Sequence, residues 1–413
     1  MKIKNNFLSI KDGHCYIYLS TINLLILLFL MIMPDNFFEI ASIYNSSTPS
    51  GIAYKWLDYH FGIIQLIVLL IGICLTVYNK IYSIFALLLY LLFRELLLKN
   101  SVFEVGAYEM YLTLFVAISF FLITKYTVKS LEQLNSFFNT FLLLNILTVF
   151  VNRIISPVGV DGNRYHASNL DVGGTGMLCS VAILYILEKN EKLRICDYII
   201  LFITGIALIM SGSRNSMVFL AIVLILKYMI QFISKKRISK KDMLDKIIKY
   251  SIIAIIIIII LIIFSNLIFN MLYSNRIFKT ILSGDVASDS SFDGRMQSIV
   301  IGIDIIKKNP YGLAGYFINL QRETMKRGFP TFPHSDLICW YLMYGPIILV
   351  GYFIIIFKFY KSYINKNRFL WIIVFCLLNT ILSGGAETNF KVLFIYILII
   401  FLYINDKKEN KQL

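Results

Sequence analysis

The chain alternates between long apolar runs and short polar segments, and within the runs the apolar residues are continuous rather than spaced every second position. A helix needs about 20 apolar residues to cross the hydrocarbon core of a bilayer. The pattern therefore predicts an all-α, polytopic membrane protein in which residues 1–413 form one integral membrane domain. About twelve spans are expected, at 16–33, 61–78, 81–98, 107–124, 137–155, 174–187, 195–210, 215–233, 247–270, 336–358, 368–382 and 390–404.

Composition agrees with this pattern, because 58% of the residues are hydrophobic and only 15% are charged. The first run follows Lys2, Lys4 and Lys11, and the residues after it, 34–36, do not resemble a small-residue cleavage site. We therefore expect a retained first span and not a cleaved signal.

The distribution of Lys and Arg predicts the orientation of the chain. Most of the 39 basic residues lie in the loops that share a side with the two termini, most densely at 234–249. Because basic loops stay in the cytoplasm, both termini are predicted to be cytoplasmic in a bacterial inner membrane. The net charge of +15 has this origin, so no nucleic-acid partner is expected.

The longest polar stretch, residues 271–334 between spans nine and ten, is predicted to be a large extracytoplasmic loop. An amphipathic helix is expected to begin near Arg295, after Asp293-Gly294, with Ile299, Ile303 and Ile306 facing the bundle. Asn309-Pro310 would end it, and a second helical stretch is predicted at 317–326.

Two arginines in this predicted outer face are candidates for binding an anion. Arg214 lies in the short turn Ser211–Ser216 between two spans, near the membrane edge, where a cation favours an aqueous cavity or an anionic ligand. A snorkelling side chain is the alternative. Arg295 opens the predicted loop helix next to free backbone N–H groups, although a solvated surface position is equally compatible with the sequence.

Other external residues add candidate chemistry. His334 precedes the tenth span, and a neutral imidazole can take a proton from a hydroxyl, unless it only completes the start of the helix. Arg153 and Arg164 add positive charge from one external loop. Glu387 is a candidate acid/base or, preferably, a structural partner for an arginine such as Arg153. Tyr316 is either a stacking platform for a sugar ring or an interfacial tyrosine.

Taken in order, these features resemble the O-antigen polymerase/ligase family of bacterial envelope glycosyltransferases. The matching elements are Ser-Gly-Ser-Arg at 211–214, Gly-Arg at 294–295, the Asn-Pro-Tyr-Gly-Leu-Ala-Gly turn at 309–315 and the histidine at 334. The ligase form usually has His-Asn where this chain has His334-Ser335. The resemblance covers roughly residues 150–390.

The resemblance implies a membrane glycosyltransferase that uses saccharides carried on undecaprenyl diphosphate and needs neither a metal nor a cofactor. It implies that Arg214 and Arg295 bind the diphosphate and that His334 lies by the acceptor hydroxyl. The product would be a capsule, O-antigen or exopolysaccharide, and flippase and chain-length regulator proteins would be possible partners. The six scattered cysteines suggest no metal site or disulfide framework.

Two alternatives to a repeat-unit polymerase stay open. A ligase would transfer the finished glycan to a different acceptor, and the sequence does not separate these two enzymes. A flippase or transporter for lipid-linked saccharide belongs to another class, but such proteins often contain internal repeats and mid-membrane polar residues. Here the polar residues gather on one predicted face.

Overall fold

The structure of the chain, a computed structural model, describes residues 8–11, 14–17, 39–43, 59–98, 105–127, 131–155, 164–167, 170–189, 193–234, 290–313, 316–328, 333, 335–363, 369–382 and 390–409. The described part is predominantly helical, which confirms the helical class. Its helices are Ile63–Tyr78 (α1), Tyr82–Leu97 (α2), Val105–Thr127 (α3), Leu131–Ile155 (α4), Val172–Lys189 (α5), Ile195–Ser211 (α6), Arg214–Ser234 (α7), Ser290–Lys308 (α8), Tyr316–Met325 (α9), Asp336–Tyr344 (α10), Ile347–Tyr363 (α11), Leu370–Leu382 (α12) and Phe390–Glu409 (α13).

Four short strands near the N-terminus depart from an all-helical chain. β1 (Leu8–Lys11) pairs antiparallel with β2 (His14–Ile17), and β3 (Glu39–Ile43) pairs antiparallel with β4 (Tyr59–Gly62). The first two residues of the predicted span 16–33 therefore lie in β2, where their backbone pairs with β1 and does not form a helix. The rest of that span and the predicted ninth span, 247–270, lie outside the described residues.

Within the described ranges, one helix is long and apolar enough by itself to cross a membrane, at Phe137–Ile155 in α4. The pair Gln65–Tyr78 and Tyr82–Leu97 meets the same criterion when taken together, but its halves are bent by 117°. The chain turns at Lys80, whose φ of 52° is left-handed. The two spans predicted at 61–78 and 81–98 are thus arranged as a sharply bent pair, and the count of twelve stays a prediction.

Two hydrophobic clusters form the described core. The larger draws on α1, α3, α4, α5, α6, α7, α12 and α13, with aromatic contacts such as Phe138 edge-on to Tyr185 at 5.1 Å between centroids. The smaller joins α2, α3, α8, α9 and α10 around Leu91, Ile305 and Leu342. Part of the predicted loop is therefore packed against the bundle.

The predicted span 336–358 is interrupted. α10 ends at Tyr344 and α11 begins at Ile347, with Gly345 at a φ of 77° and Pro346 between them. A left-handed glycine followed by a residue without an N–H cannot continue an α-helix, which explains the break.

α8 begins at Ser290, five residues before the predicted start, and ends at Lys308 before Asn309-Pro310 as expected. The buried face of α8 is not the one that the isoleucine pattern predicts. Ile303 is 43% exposed, whereas Ser298, Gly302 and Ile305 are buried. The reason is steric. A Cβ at Gly302 would lie 2.7 Å from Ile338 Cγ2, so the small residue allows α8 and α10 to approach closely.

Candidate functional site

α6 and α7 are joined by a very tight turn that places Arg214 at the start of α7. Gly212 ends α6 in the left-handed conformation, with φ 63° and ψ 18°, and its N–H donates to the carbonyl of Ile209. Only glycine adopts this conformation without steric cost. One role of the Ser-Gly-Ser-Arg sequence is therefore structural, because it lets the chain turn from α6 into α7 within two residues.

The serines around this turn point into the protein. Ser211 Oγ donates to Leu208 O at 2.7 Å, and Ser213 Oγ donates to Ser216 Oγ at 2.9 Å. A Cβ at Gly176 of α5 would lie 2.2 Å from Ser213 Cβ, so α5 and the turn are in close contact. These small polar residues therefore support helix packing.

Arg164 lies directly over the turn. A Cβ at Gly212 would lie 3.1 Å from Arg164 Cγ and 3.4 Å from its Nε. The next residue, Tyr165, donates its backbone N–H to Met210 O at 3.0 Å, which fixes the segment 164–167 against the end of α6. The structure thus brings Arg164 to the same turn that carries Arg214.

Arg153, in the last turn of α4, contacts Tyr165 and Met210 next to this turn. Its guanidinium carbon lies 5.6 Å from the centroid of the Tyr165 ring, and its Nη1 lies 3.9 Å from Met210 Sδ. A cation near an aromatic face at this distance is attracted by the ring quadrupole. Arg153, Arg164 and Arg214 therefore gather around one turn, and we call them the arginine cluster.

The electrostatics of the arginine cluster favour an anion. Arginine side chains are cationic, so the cluster brings positive charge to this turn. The N-terminus of α7 adds backbone N–H groups and the positive end of a helix dipole. Each of the three guanidinium groups is suited to bidentate binding of phosphate oxygens.

The remaining predicted site residues are described only partly or not at all. Arg295 lies in the second turn of α8 and Tyr316 is the first residue of α9, but their side chains are not among the described ones. His334 and Glu387 lie outside the described residues, so the proposed roles of these four residues stay predictions.

The residues beside His334 are buried at the start of α10. Ser335 is the N-cap, and its Oγ accepts from the Ile338 N–H at 3.4 Å and lies 3.5 Å from Thr380 O of α12. Asp336 is 2% exposed. α12 also packs against α7, which carries Arg214, and against α5, which contacts the turn before Arg214.

A surface ion-pair cluster ties α8 to the end of α9. Arg327 pairs with Asp304 Oδ2 at 3.2 Å and with Glu323 Oε2 at 2.8 Å. Hydrogen bonds from Lys308 and then Arg327 lower the pKa of Asp304, and hydrogen bonds from Lys326 and Arg327 lower the pKa of Glu323. Both carboxylates are therefore charged at neutral pH and hold Arg327.

Comparison with known protein families matches residues 199–353 to the O-antigen ligase family. This match supports assignment of residues 199–353 to the O-antigen polymerase/ligase family. A search of curated proteins found no match to the chain. Members of the O-antigen polymerase/ligase family are integral inner-membrane proteins and glycosyltransferase-like enzymes, and the family implies a lipid-linked saccharide substrate.

The O-antigen ligase match covers Arg214, Arg295 and His334, and it stops short of Arg153, Arg164 and Glu387. Two members of the arginine cluster thus come from outside the matched region. Their proximity to Arg214 is a result of the structure.

The sequence interpretation missed the role of one buried arginine. An arginine beside an acid near the end of an apolar run, as Arg94 of α2 is beside Glu95, is expected from the sequence to snorkel or to pair locally. It does pair with Glu95, at 2.9 Å, but its guanidinium also binds backbone carbonyls of the turn after α8 and of α10. An arginine-glutamate pair in an apolar run was the available signal, since buried ionisable residues in membrane helices usually serve a function.

Proposed function

We propose that the chain polymerises oligosaccharide repeat units linked to undecaprenyl diphosphate, at the outer face of the cytoplasmic membrane. The observation that carries the proposal is the arginine cluster, in which Arg153 and Arg164 meet the turn before Arg214. Three fixed positive charges at one turn suit a diphosphate. The polymer would be a capsule, an O-antigen or an exopolysaccharide.

The proposed reaction is a single displacement at an anomeric carbon. The acceptor hydroxyl oxygen, at the non-reducing end of a new lipid-linked repeat, attacks the anomeric carbon of the growing glycan. The bond from that carbon to the diphosphate oxygen breaks, and the electron pair leaves with undecaprenyl diphosphate. His334 takes the proton of the hydroxyl.

Catalysis in this proposal comes mainly from charge stabilisation. Negative charge grows on the diphosphate oxygen as the glycosidic bond breaks, and preorganised guanidinium groups stabilise that charge more than water does. Arg214 and Arg295 would bind the diphosphate, and Arg153 and Arg164 would add to the positive electrostatic potential around it. Tyr316 would contact a sugar ring, and Glu387 would orient a nearby arginine.

A ligase is the second candidate, and the description of the matched family as O-antigen ligase favours it. The chain has Ser335 where the ligase form has asparagine. Because Ser335 is a buried N-cap and asparagine caps helices equally well, this difference by itself separates the two enzymes poorly.

Reconstitution in liposomes tests the proposal and separates the candidates. Purified protein is incubated with one lipid-linked repeat and no nucleotide sugar, with EDTA in a parallel sample. A polymerase yields a ladder of lipid-linked oligomers in both samples. A ligase yields transfer only when a different acceptor is added, and a flippase moves the repeat across the bilayer without forming a bond.

A further inference from the structure

Arg94 joins two segments that lie more than 200 residues away in the sequence. Its Nε donates to Tyr311 O at 2.9 Å, and its Nη2 donates to Leu313 O at 3.2 Å and to Leu342 O at 3.0 Å. The first two carbonyls belong to the turn after α8, and the third belongs to the last turn of α10. Arg94 itself is only 4% exposed.

The guanidinium is held in place by an acidic partner. Its Nη1 donates to Glu95 Oε1 at 2.9 Å and lies 3.2 Å from the Tyr111 hydroxyl of α3. The Tyr111 hydroxyl in turn donates to Glu95 Oε1. A buried charge that is paired and fully hydrogen-bonded fixes its side chain in one orientation, because each alternative leaves a polar group unsatisfied.

The backbone around Arg94 is shaped to admit it. Gly312 and Gly345 have φ angles of 83° and 77°. A Cβ at Gly312 would lie 2.4 Å from Arg94 Nη2, and a Cβ at Gly345 would lie 3.1 Å from Arg94 Nε. Both glycines therefore allow the two chain segments to close around the guanidinium.

Arg94 also stabilises the C-terminal end of α10. Leu342 O accepts from Arg94 and from the Leu313 N–H at 2.8 Å, and Tyr344 O accepts from the Tyr90 hydroxyl at 3.0 Å. Carbonyls in the last turn of a helix lack partners within the helix, and a cation there complements the dipole. The end of α10 is thus tied to α2 and to the turn after α8.

α8 and α10 have a second contact away from Arg94, where Gly302 meets Ile338 and Pro333. One contact lets two helices pivot about each other, whereas two contacts fix the angle between them. Arg295 lies on α8, and His334 immediately precedes the N-cap of α10. The angle between these helices therefore sets the spacing between the backbones of Arg295 and Ser335, the residue that follows His334 in the sequence.

We infer that Arg94 is a positioning residue that locks α8 to α10 and so holds the backbone of Arg295 in register with Ser335, the N-cap of α10 that follows His334 in the sequence. The mechanical part follows from the contacts of Arg94 alone. The catalytic part rests on the proposed function, which assigns the diphosphate to Arg295 and the acceptor hydroxyl to His334.

The test uses Arg94→Lys, which keeps the positive charge beside Glu95 but cannot reach three carbonyls. Hydrogen exchange of the full-length protein should become at least tenfold faster at the amides of Leu313 and Gly345, with the core of α5 unchanged. Arg322→Lys, at an exposed arginine of α9, is the matched control and should change neither region.

The kinetic readout separates positioning from simple loss of stability. In the liposome assay, kcat of Arg94→Lys should fall about 10- to 100-fold, as expected for a small misplacement of catalytic groups. KM for the lipid-linked donor should change by a smaller factor than kcat, because Arg214 is held by other helices and only Arg295, the second proposed diphosphate ligand, moves with α8. Tyr111→Phe, a milder variant that keeps Arg94, should lower kcat in the same direction by a smaller factor.

Wild-type exchange at Leu313 and Gly345 together with wild-type kcat in Arg94→Lys would overturn the inference. If Arg94→Lys does not fold, an unchanged kcat in Tyr111→Phe overturns it. Should the wild-type protein form no polymer, the proposed function fails, and the exchange data still decide whether Arg94 locks α8 to α10.

Discussion

Replacing Gly212 with alanine perturbs the arginine cluster without removing any charge. Gly212 has a φ of 63°, and its added Cβ would lie 3.1 Å from Arg164 Cγ, closer than an ordinary van der Waals contact. Arg164 therefore has to move by a few tenths of an ångström, and the turn before Arg214 becomes strained.

The expected magnitudes follow from these two effects. A left-handed alanine costs about 1–2 kcal/mol relative to glycine. Hydrogen bonds to charged groups contribute about 1.5–3 kcal/mol each, so partial loss of one Arg164 contact should raise KM for the donor about three- to tenfold. Gly205→Ala in α6 is the matched control, since its Cβ would meet no atom of the described residues within 4 Å. That variant should be stabilised by about 0.5–1 kcal/mol.

Thermal unfolding in detergent measures the change in stability, and donor-dependent polymerisation in liposomes measures the change in KM. Both are made on the same preparations. Gly212→Ala should unfold at a lower temperature and show a higher KM, and Gly205→Ala should shift neither in that direction. A destabilised Gly212→Ala with a wild-type KM would show that Arg164 does not contact the donor.

Three further predictions concern charged side chains. Arg214→Ala should lower kcat/KM about 10²- to 10³-fold in the liposome assay, while Arg322→Ala stays within about twofold, and similar losses in both would refute a local site. The ion pairs of Arg327 connect α8 to α9 through carboxylates of lowered pKa, so this tie is complete above about pH 4 and is lost as the pH falls through the lowered values. Hydrogen exchange of α8, corrected for the intrinsic effect of pH, should become faster in the wild type as the ion pairs of Arg327 are lost. Arg327→Gln lacks these ion pairs and should show no such increase. Lys227→Ala leaves Glu188 buried without its lysine and should destabilise the protein by about 3–5 kcal/mol, whereas adding Glu188→Leu should restore most of the loss in thermal unfolding.

Helix positions were largely predictable, because an apolar run has to be helical in a membrane. The run at 195–210 became Ile195–Ser211, and the run at 215–233 became Arg214–Ser234. The same reasoning was wrong where the backbone geometry of particular residues ends a helix inside an apolar run. It did not foresee the break at Gly345-Pro346, since a run of apolar residues continues through both helices.

The face of α8 shows a second limit. A pattern of isoleucines ranks residues by hydrophobicity, and it selected Ile303, which is exposed. Gly302 decides the packing because it permits the closest approach to Ile338. That contact depends on a partner helix the sequence does not specify.

The candidate site was predictable in its chemistry and only partly in its geometry. The sequence singled out Arg153, Arg164 and Arg214 as positive charges on one predicted face, but their meeting at Gly212 depends on tertiary packing. The backbone carbonyls that accept from Arg94 lie 217 to 248 residues away, and no local pattern encodes such a separation. Its buried pairing with Glu95 was the clue within reach.

The most direct test of the account is binding of undecaprenyl diphosphate, measured by native mass spectrometry of the detergent-purified protein. The wild type should bind undecaprenyl diphosphate at least tenfold more tightly than undecaprenyl monophosphate. The Arg214→Ala variant should lose most of that preference and the Arg153→Ala and Arg164→Ala variants part of it, while Arg322→Ala keeps it. Equal affinity of the wild type for the two lipids, or an unchanged preference in the cluster variants, would contradict the claim that these arginines bind the diphosphate.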